Sequence, residues 1–409
     1  MKKILFVTGN FLPHKNGGIE NYTFKLCQFL SNHNFRCEVA ALNAGNDPAY
    51  IFENFKVYNL KNSLGEFERI LEQHNFDICH IHEYSMYGGI ELDYFYAVKN
   101  RGIKVFFTFH LPYLTCYKND FRFLGLEDCN LFINPSRCAK CVVTTHISNR
   151  IKIKNNILAE VIKNISPVVP KTSQIKKNVI QIHQNFGDLF SICDKVFYIA
   201  PWFKALINSN NYNFSNFYFF PHSFSKVNSR TKERFGEIKF RLLFAGRIQH
   251  QKGLHLLCLA LKLIKGLKLE LDVYGNIVDL QYFDKCKALF DFNYNGIISR
   301  EQLLNKMNDY DFLVLPSIFT EMYPMVIHEA FSVSLPVIAS SAKGNSDIII
   351  DSGNGFIFNY DDFRSLHDVL KKSYDKLRNG WEPSFNKIEN PTLEDKAILS
   401  FYNDVLCEN

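Results

Sequence analysis

Residues 240–253 read FRLLFAGRIQHQKG. Phe240 to Ala245 is a short apolar run suited to a buried strand, and Gly246 ends it. Leu254, Leu257, Cys258, Leu261 and Ile264 then recur at helical spacing. Strand, glycine turn and helix in that order make the opening of a βαβ unit. The pattern repeats outward in both directions. Leu269 to Tyr274 is a strand closed by Gly275-Asn276, and Asp311 to Leu315 and Pro336 to Ala339 are strands flanking a helix from about Pro324. Upstream, Lys3 to Thr8, Arg36 to Leu42, Asp77 to His82, Lys104 to Phe109 and Lys195 to Ala200 are further apolar runs. Gly17-Gly18 follows the first of them, and Ile19, Tyr22, Leu26 and Leu30 form a helical stripe. The chain therefore reads as α/β: two doubly wound parallel-sheet halves in series, with the boundary near Phe220 to Ser225. A last helix, about Leu393 to Leu406, follows the break Glu389-Asn390-Pro391.

Composition agrees with this class. A chain of 409 residues suits roughly two or three domains. With 47% hydrophobic and 22% charged residues it can bury a sizeable core, which excludes a disordered tail and a disulfide-stapled miniprotein. No run of about 18 apolar residues predicts a membrane-spanning helix. The start, MKKILFVTGN, enters a strand directly without a signal-peptide pattern and reads as a mature cytoplasmic start. Eleven cysteines without an export signal argue against a disulfide framework. Seven of them (Cys27, Cys37, Cys79, Cys193, Cys258, Cys286, Cys407) stand singly among apolar residues and read as small core hydrophobes. Between Arg150 and Lys177 seven cations face one anion, Glu160, a surplus equal to the net charge of +6. That stretch is a solvated face or a contact with an anionic membrane surface, as for a peripheral membrane protein. No nucleic-acid reader motif accompanies it.

Three sites in the second half carry chemistry. Gly246-Arg247-Ile248-Gln249-His250-Gln251-Lys252-Gly253 lies at the C-terminal end of a strand, where ligands bind in open α/β sheets. The Arg247 fork and the Lys252 point charge can converge there on a diphosphate. Glu321 to Glu329 places one carboxylate in the loop before a helix and one in its second turn, with Pro324 suited to the first helical position. Free N–H groups at the helix start attract phosphate, and the flanking carboxylates can accept hydrogen bonds from sugar hydroxyls. That set suits a nucleotide sugar. Ala342 to Asp347 is a third polar turn.

The ordered set G-R-x4-K-G, P-S, E-x7-E, P-V-I-A-S and N-G-F, from about Arg241 to Phe358, resembles the donor-binding domain of the retaining glycosyltransferase family 4. Pro13 to Glu20, the run Asp77 to His82 and Thr108-Phe109-His110 are similar to that family's first domain. The resemblance implies the GT-B fold, two Rossmann-like domains facing a cleft. It implies an acceptor-side domain over 1–220 with a Cys-rich insertion at about 111–145, a donor domain over 221–390, and a C-terminal helix over 391–409 returning to the first domain. Arg247 and Lys252 would bind the donor diphosphate and stabilise the leaving group. Glu329 would hold the ribose and Glu321 the donor-sugar hydroxyls. Backbone N–H groups at Met325 and Val326 would assist at the phosphate, Gly17 and Gly18 would admit the phosphates closely, and His110 would sit near the reacting sugar. The resemblance also implies transfer without a metal ion, by front-face departure and attack with retention. Two departures stand out: Lys343-Gly344-Asn345-Ser346-Asp347 where the family often has Gly-Gly-x-x-Glu, and Pro221-His222-Ser223 where it often has Pro-Asn-Gly.

Cys116, Cys129, Cys138 and Cys141, spaced C-x12-C-x8-C-x2-C, follow His110. Such a set can hold a structural zinc or an iron–sulfur cluster, and similar insertions occur in some bacterial members of the family. The alternative is four reduced thiols packed on Tyr113, Tyr117, Phe121 and Phe123. The expected function is transfer of a hexose from a UDP- or GDP-sugar to a glycan or lipid-linked acceptor in surface polysaccharide assembly (lipopolysaccharide or capsule). The rival readings are a sugar-nucleotide epimerase of the same fold and a non-catalytic partner protein. Retention of Arg247, Lys252, Glu321 and Glu329 argues against both.

Overall fold

The computed structural model describes residues 1–15, 17–85, 88–110, 116–118, 121–124, 127–129, 131–151, 171–210, 212, 214–220, 239–349, 353–385 and 395–404. Two compact units make up the chain, Met1–His222 with Thr392–Asn409, and Ser223–Pro391.

The first unit runs β1 (Lys2–Asn10), α1 (Gly18–Ser31), β2 (Phe35–Asn43), β3 (Ala49–Phe52), β4 (Phe55–Asn59), α2 (Leu64–Gln73), β5 (Ile78–Ile81), α3 (Leu92–Lys99) and β6 (Lys104–Phe109). It continues through β7 (Arg122–Phe123), β8 (Glu127–Asp128), α4 (Pro135–Ile151), α5 (Lys171–Ile192), β9 (Lys195–Tyr198), α6 (Pro201–Ser209) and β10 (Phe217–Phe219), and α12 (Asp395–Asp404) belongs to it as well. Eight strands form one sheet in the order β10-β9-β6-β5-β1-β2-β4-β3, parallel except at β3. Central β1 is covered on both faces, which is why Ile4, Leu5, Phe6 and Val7 are all apolar and fully buried. The helical stripe of α1 lays Tyr22, Leu26 and Leu30 against this sheet. Tyr402 of α12 is fully buried in the same core, and its hydroxyl lies 2.8 Å from His80 Nδ1.

The second unit runs β11 (Phe240–Ala245), α7 (Leu254–Leu263), β12 (Leu269–Tyr274), α8 (Leu280–Leu289), β13 (Asn293–Tyr294), α9 (Arg300–Met307), β14 (Phe312–Leu315), α10 (Met325–Ser332), β15 (Val337–Ser340), β16 (Gly355–Phe358) and α11 (Phe363–Arg378). Its six strands are parallel in the order β13-β12-β11-β14-β15-β16. The pleat sends alternate residues of β11 to opposite faces. Phe240, Leu242 and Phe244 pack with Leu257, Leu261, Leu366 and Leu370, while Leu243 and Ala245 pack with Leu313, Ile327 and Ala330. Both sheets are thus doubly wound.

One boundary differs in detail from the sequence expectation. Pro324 is the N-cap of α10 and Met325 its first residue, so the proline sits one place earlier than the first helical position. The last helix covers Asp395–Asp404, and the two ends of its expected span, Leu393 and Leu406, lie outside the described residues. The Pro221-His222-Ser223 junction lies outside the described residues.

Candidate active site

Three loops of the second unit leave the C-terminal ends of β11, β14 and β15 and touch one another. The first carries Gly246 to Gly253 and includes one 3-10 turn, His250–Lys252. Gly253 adopts φ +73°, and a Cβ there would fall 1.9 Å from the Pro316 carbonyl oxygen, so the loop can lie against the Pro316-Ser317 turn only with glycine. Ile318 N donates to Gln251 O at 2.8 Å across the same contact. The third loop meets the second in the same manner. Gly344 has φ +84° and would bring a Cβ to 1.8 Å from Glu321 O, and Glu321 N donates to Lys343 O at 3.0 Å. Ser340 Oγ donates to Ser317 O at 2.5 Å, and buried Asn345 donates to Ser340 Oγ at 3.2 Å.

These contacts bring Lys252 and Glu321 together. Lys252 Nζ stands 2.5 Å from Glu321 Oε1, with side-chain exposures of 15% and 12%. Ser317 Oγ donates to the same oxygen at 3.1 Å, and the Phe319 ring lies 4.9 Å from the Lys252 ammonium. A lysine and a glutamate withdrawn this far from water each need the other's charge. Arg247 is exposed and has no side-chain partner among the described residues. Glu321 precedes α10, and Met325 and Val326 supply its first two residues, whose N–H groups have no carbonyl four residues back within the helix. Glu329, in the second turn, is buried and accepts a hydrogen bond from Arg300 Nε at 2.7 Å. His328 stacks on Tyr323 at 4.0 Å between centroids and 5° between planes. Burial lowers His328 to about 3, so its ring is neutral near pH 7.

The first unit gathers its own polar groups at the ends of β1, β5 and β6. His110 Nε2 lies 3.0 Å from His82 Nδ1, which is also 3.1 Å from Thr23 Oγ1. Tyr22 meets the His110 ring edge-on at 4.8 Å. His110 is 7% exposed, and burial lowers it to about 3, so it can offer hydrogen bonds as a neutral imidazole and not as a cation. Gly17 is the N-cap of α1, and a Cβ there would meet Glu20 Oε2 at 2.5 Å, whereas Gly18 faces open space. The absent side chain at Gly17 thus leaves room for the buried Glu20 carboxylate. Glu83 lies beside it, its carboxyl raised by burial and then by the Glu20 charge.

The four clustered cysteines line one small cavity with Phe121, Phe123 and Leu131. Among the described residues, however, no group of three or more His, Cys, Asp or Glu side chains could hold a metal ion. The expected structural zinc or iron–sulfur cluster therefore finds no support. Two of the sulfurs, those of Cys129 and Cys141, are engaged locally. Cys141 Sγ accepts from Leu124 N at 3.1 Å and donates to Arg122 O at 3.5 Å, and Arg137 Nη1 donates to Cys129 Sγ at 3.6 Å. Burial, followed by the neighbouring thiols Cys116, Cys129 and Cys141, pushes Cys138 up to about 11, the behaviour of a protonated thiol. The insertion packs on its own unit through Phe121 on Trp202 and through Ile133 N donating to Asn210 Oδ1 at 2.8 Å. Tyr113 lies outside the described residues, as does most of the basic stretch, residues 152–170. Among the described residues no helix is long and apolar enough to cross a membrane.

Sequence reasoning missed Arg300, Ser317 as a ligand of Glu321, the Tyr323–His328 stack, and Glu83. Only Ser317 had a signal, since it follows a strand end in a Pro-Ser turn.

Comparison with known proteins bears on this geometry. Residues 225–378 match the family model of glycosyl transferases group 1, and residues 16–154 match that of glycosyltransferase family 4, together about seven-tenths of the chain. Over 201 residues the chain is 25% identical to the capsular polysaccharide biosynthesis glycosyltransferase CapM of Staphylococcus aureus, covering 46% of this chain and 52% of that protein. Over 147 residues it is 29% identical to a D-inositol 3-phosphate glycosyltransferase of Arthrobacter sp. strain FB24, covering 34% and 35%. The matches thus span about half the length, or less, of these curated relatives. Among solved structures, sucrose-phosphate synthase of Thermosynechococcus elongatus aligns over 100% of both chains with TM-score 0.63 and 13% identity. Anabaena HepE in complex with UDP and glucose aligns over 100% of both with TM-score 0.62 and 14% identity. The lipopolysaccharide outer core galactosyltransferase WaaB covers 98% of this chain and 96% of its own, with TM-score 0.58 and 16% identity. At these identities the structural likenesses establish the fold alone.

Proposed function

This chain is a family 4-like glycosyltransferase of the GT-B fold, and from that premise we propose that it moves a hexose, with retention, from a nucleoside diphosphate sugar to a glycan or lipid-linked acceptor in surface polysaccharide assembly. One observation carries the reading: the loops after β11 and β14 join Lys252 to Glu321 in a single partly buried pair beside the start of α10. A cation that can grip phosphate and a carboxylate that can take sugar hydroxyls are thereby held within one ligand's reach. The complexes of Anabaena HepE with UDP and with UDP-glucose support a UDP-hexose donor, with a GDP-sugar as the variant to compare. The names of CapM and WaaB support the polysaccharide setting.

In this reading the donor diphosphate takes the Lys252 ammonium from Glu321 and recruits Arg247, while the N–H groups of Met325 and Val326 complete the anion's shell. Glu321 is then released to accept from the donor sugar, and Glu329 accepts from the ribose. The bond from the anomeric carbon to the diphosphate oxygen breaks. A new bond to the acceptor oxygen forms on the same face, and the acceptor's proton passes to the departing phosphate oxygen. Arg247 and Lys252 take up the charge that develops there, the role a metal ion fills in other transferases. His110 of the first unit acts in this scheme as a neutral hydrogen-bonding partner of the reacting sugar. Gly17 and Gly18 lie at the start of α1, whose first N–H groups lack carbonyl partners within the helix and would favour an anion.

The test is product analysis. Wild-type protein incubated with UDP- or GDP-hexoses and a glycan acceptor is expected to release nucleoside diphosphate and to form a glycoside with the donor's anomeric configuration. In Lys252→Ala, kcat/KM should fall by about 10²–10³. Inversion at the anomeric carbon, or full turnover without Lys252, would overturn the reading.

A further inference from the structure

We propose that Arg300 is a positioning residue for ribose recognition, acting through Glu329. The inference rests on the donor reading above and extends it to a residue outside its motifs. Glu329 is buried in the second turn of α10, with its side chain 10% exposed. A carboxylate so placed stays ionised only with a charged or hydrogen-bonding partner. Arg300 Nε, 2.7 Å from Glu329 Oε1, supplies that partner.

The position of Arg300 is itself held firmly. It is the first residue of α9, directly after the N-cap Ser299. Ser299 Oγ accepts from Gln302 N at 3.2 Å and Gln302 Oε1 accepts from Ser299 N at 2.9 Å, a closed capping box. Ile298, just before it, packs in the same cluster as Val326 of α10. The backbone that launches the guanidinium is thus fixed on both sides. A cation in the first turn of a helix is otherwise misplaced, because the helix dipole favours an anion there. The arrangement is consistent if the partner carboxylate is what the site requires. A carboxylate can accept about four hydrogen bonds, so the bond from Arg300 Nε does not by itself saturate the group that would receive a ribose hydroxyl pair. Arg300 fixes the rotamer and the charge of Glu329, and Glu329 reads the sugar of the nucleotide.

Nucleotide titration of the full chain tests this. The probes are UDP and GDP, each beside its 2′,3′-dideoxy form, on wild type, Arg300→Gln and Arg300→Lys. In wild type the better ribonucleotide should bind at least about tenfold more tightly than its dideoxy form, the size expected of hydrogen bonds to a charged group. Arg300→Gln should bring the two within about threefold by weakening the ribonucleotide alone, and Arg300→Lys should restore part of the gap. A gap that survives in Arg300→Gln overturns the inference. So does equal weakening of both forms in Arg300→Gln and Arg300→Lys, which marks a general structural role. If wild type binds neither nucleotide, the donor reading itself fails. If it binds both but does not distinguish the dideoxy forms, only the ribose role fails.

Discussion

Lys252 and Glu321 stand 69 positions apart, and it was the family resemblance that implied they serve one ligand. A lysine closing a Gly-Arg loop and a glutamate before a helix start each lie near a strand end, and their order along the chain, not either residue alone, carries the resemblance. Arg300 was not legible. It lies 29 positions before Glu329 on a different helix, and only packing of α9 beside α10 reveals the pair. Gly344 permits a prediction at this scale. In Gly344→Ala the new Cβ collides with the Glu321 backbone carbonyl, which has no flexible end to move aside, and the φ of +84° is strained for alanine. The variant should lose about 1–3 kcal/mol of stability, seen as a lower midpoint in urea. Its kcat/KM should fall by about 10²-fold if the loop moves by an ångström. Unchanged activity would mean that the Glu321 loop is not held by this contact.

The strands that were legible, such as β1 and β11, were so because parallel sheets covered on both faces need continuous apolar runs. The parallel β4, β10, β13 and β16 were not read as strands, and neither was the antiparallel β3, where Ile51 is 66% exposed and the strand sits at the sheet edge. The docking of α12 depends on a contact spanning 322 positions, Tyr402 to His80. His80 also reaches Thr108 Oγ1 at 2.8 Å through its other nitrogen, so the ring is bonded on both sides in a fully buried place. Tyr402→Phe should therefore cost about 1–3 kcal/mol, the desolvation penalty of an orphaned buried nitrogen. A melting curve identical to wild type would show that α12 is held by ring packing alone. The same histidines set a pH dependence. Burial holds His80 well below its ordinary value, and His110 and His328 near 3, so each is neutral in the fold but takes up a proton below about 6.5 when unfolded. The unfolded state then binds more protons, and stability falls as pH drops. His110 and His328 each contribute a slope of up to about 1.4 kcal/mol per pH unit between roughly 6.5 and 3, and His80 acts in the same direction. His328→Asn should flatten the urea-midpoint profile between pH 6.5 and 4.5, and an unaltered slope would contradict the burial argument.

At the scale of the whole molecule, two α/β units in series were readable from alternating strand and helix patterns, and the donor-type motifs fell in the second of them. The cysteine cluster shows the limit of spacing arguments. C-x12-C-x8-C-x2-C brings four thiols to one cavity, where the Cys141 sulfur meets backbone and Lys118 groups and the Cys129 sulfur meets Arg137, and no set among the described residues is arranged for a metal. Spacing fixes which residues can meet, whereas side-chain direction decides what they can bind. The central claim concerns the second unit alone: its cations grip a pyrophosphate. Calorimetric titration of UDP against UMP, and of GDP against GMP, measures that most directly. The account predicts that the preferred diphosphate binds about a hundredfold more tightly than its monophosphate in wild type, and that Arg247→Ala with Lys252→Ala narrows the gap to about threefold or less. A gap of undiminished size in the double variant, or none in wild type, would contradict it.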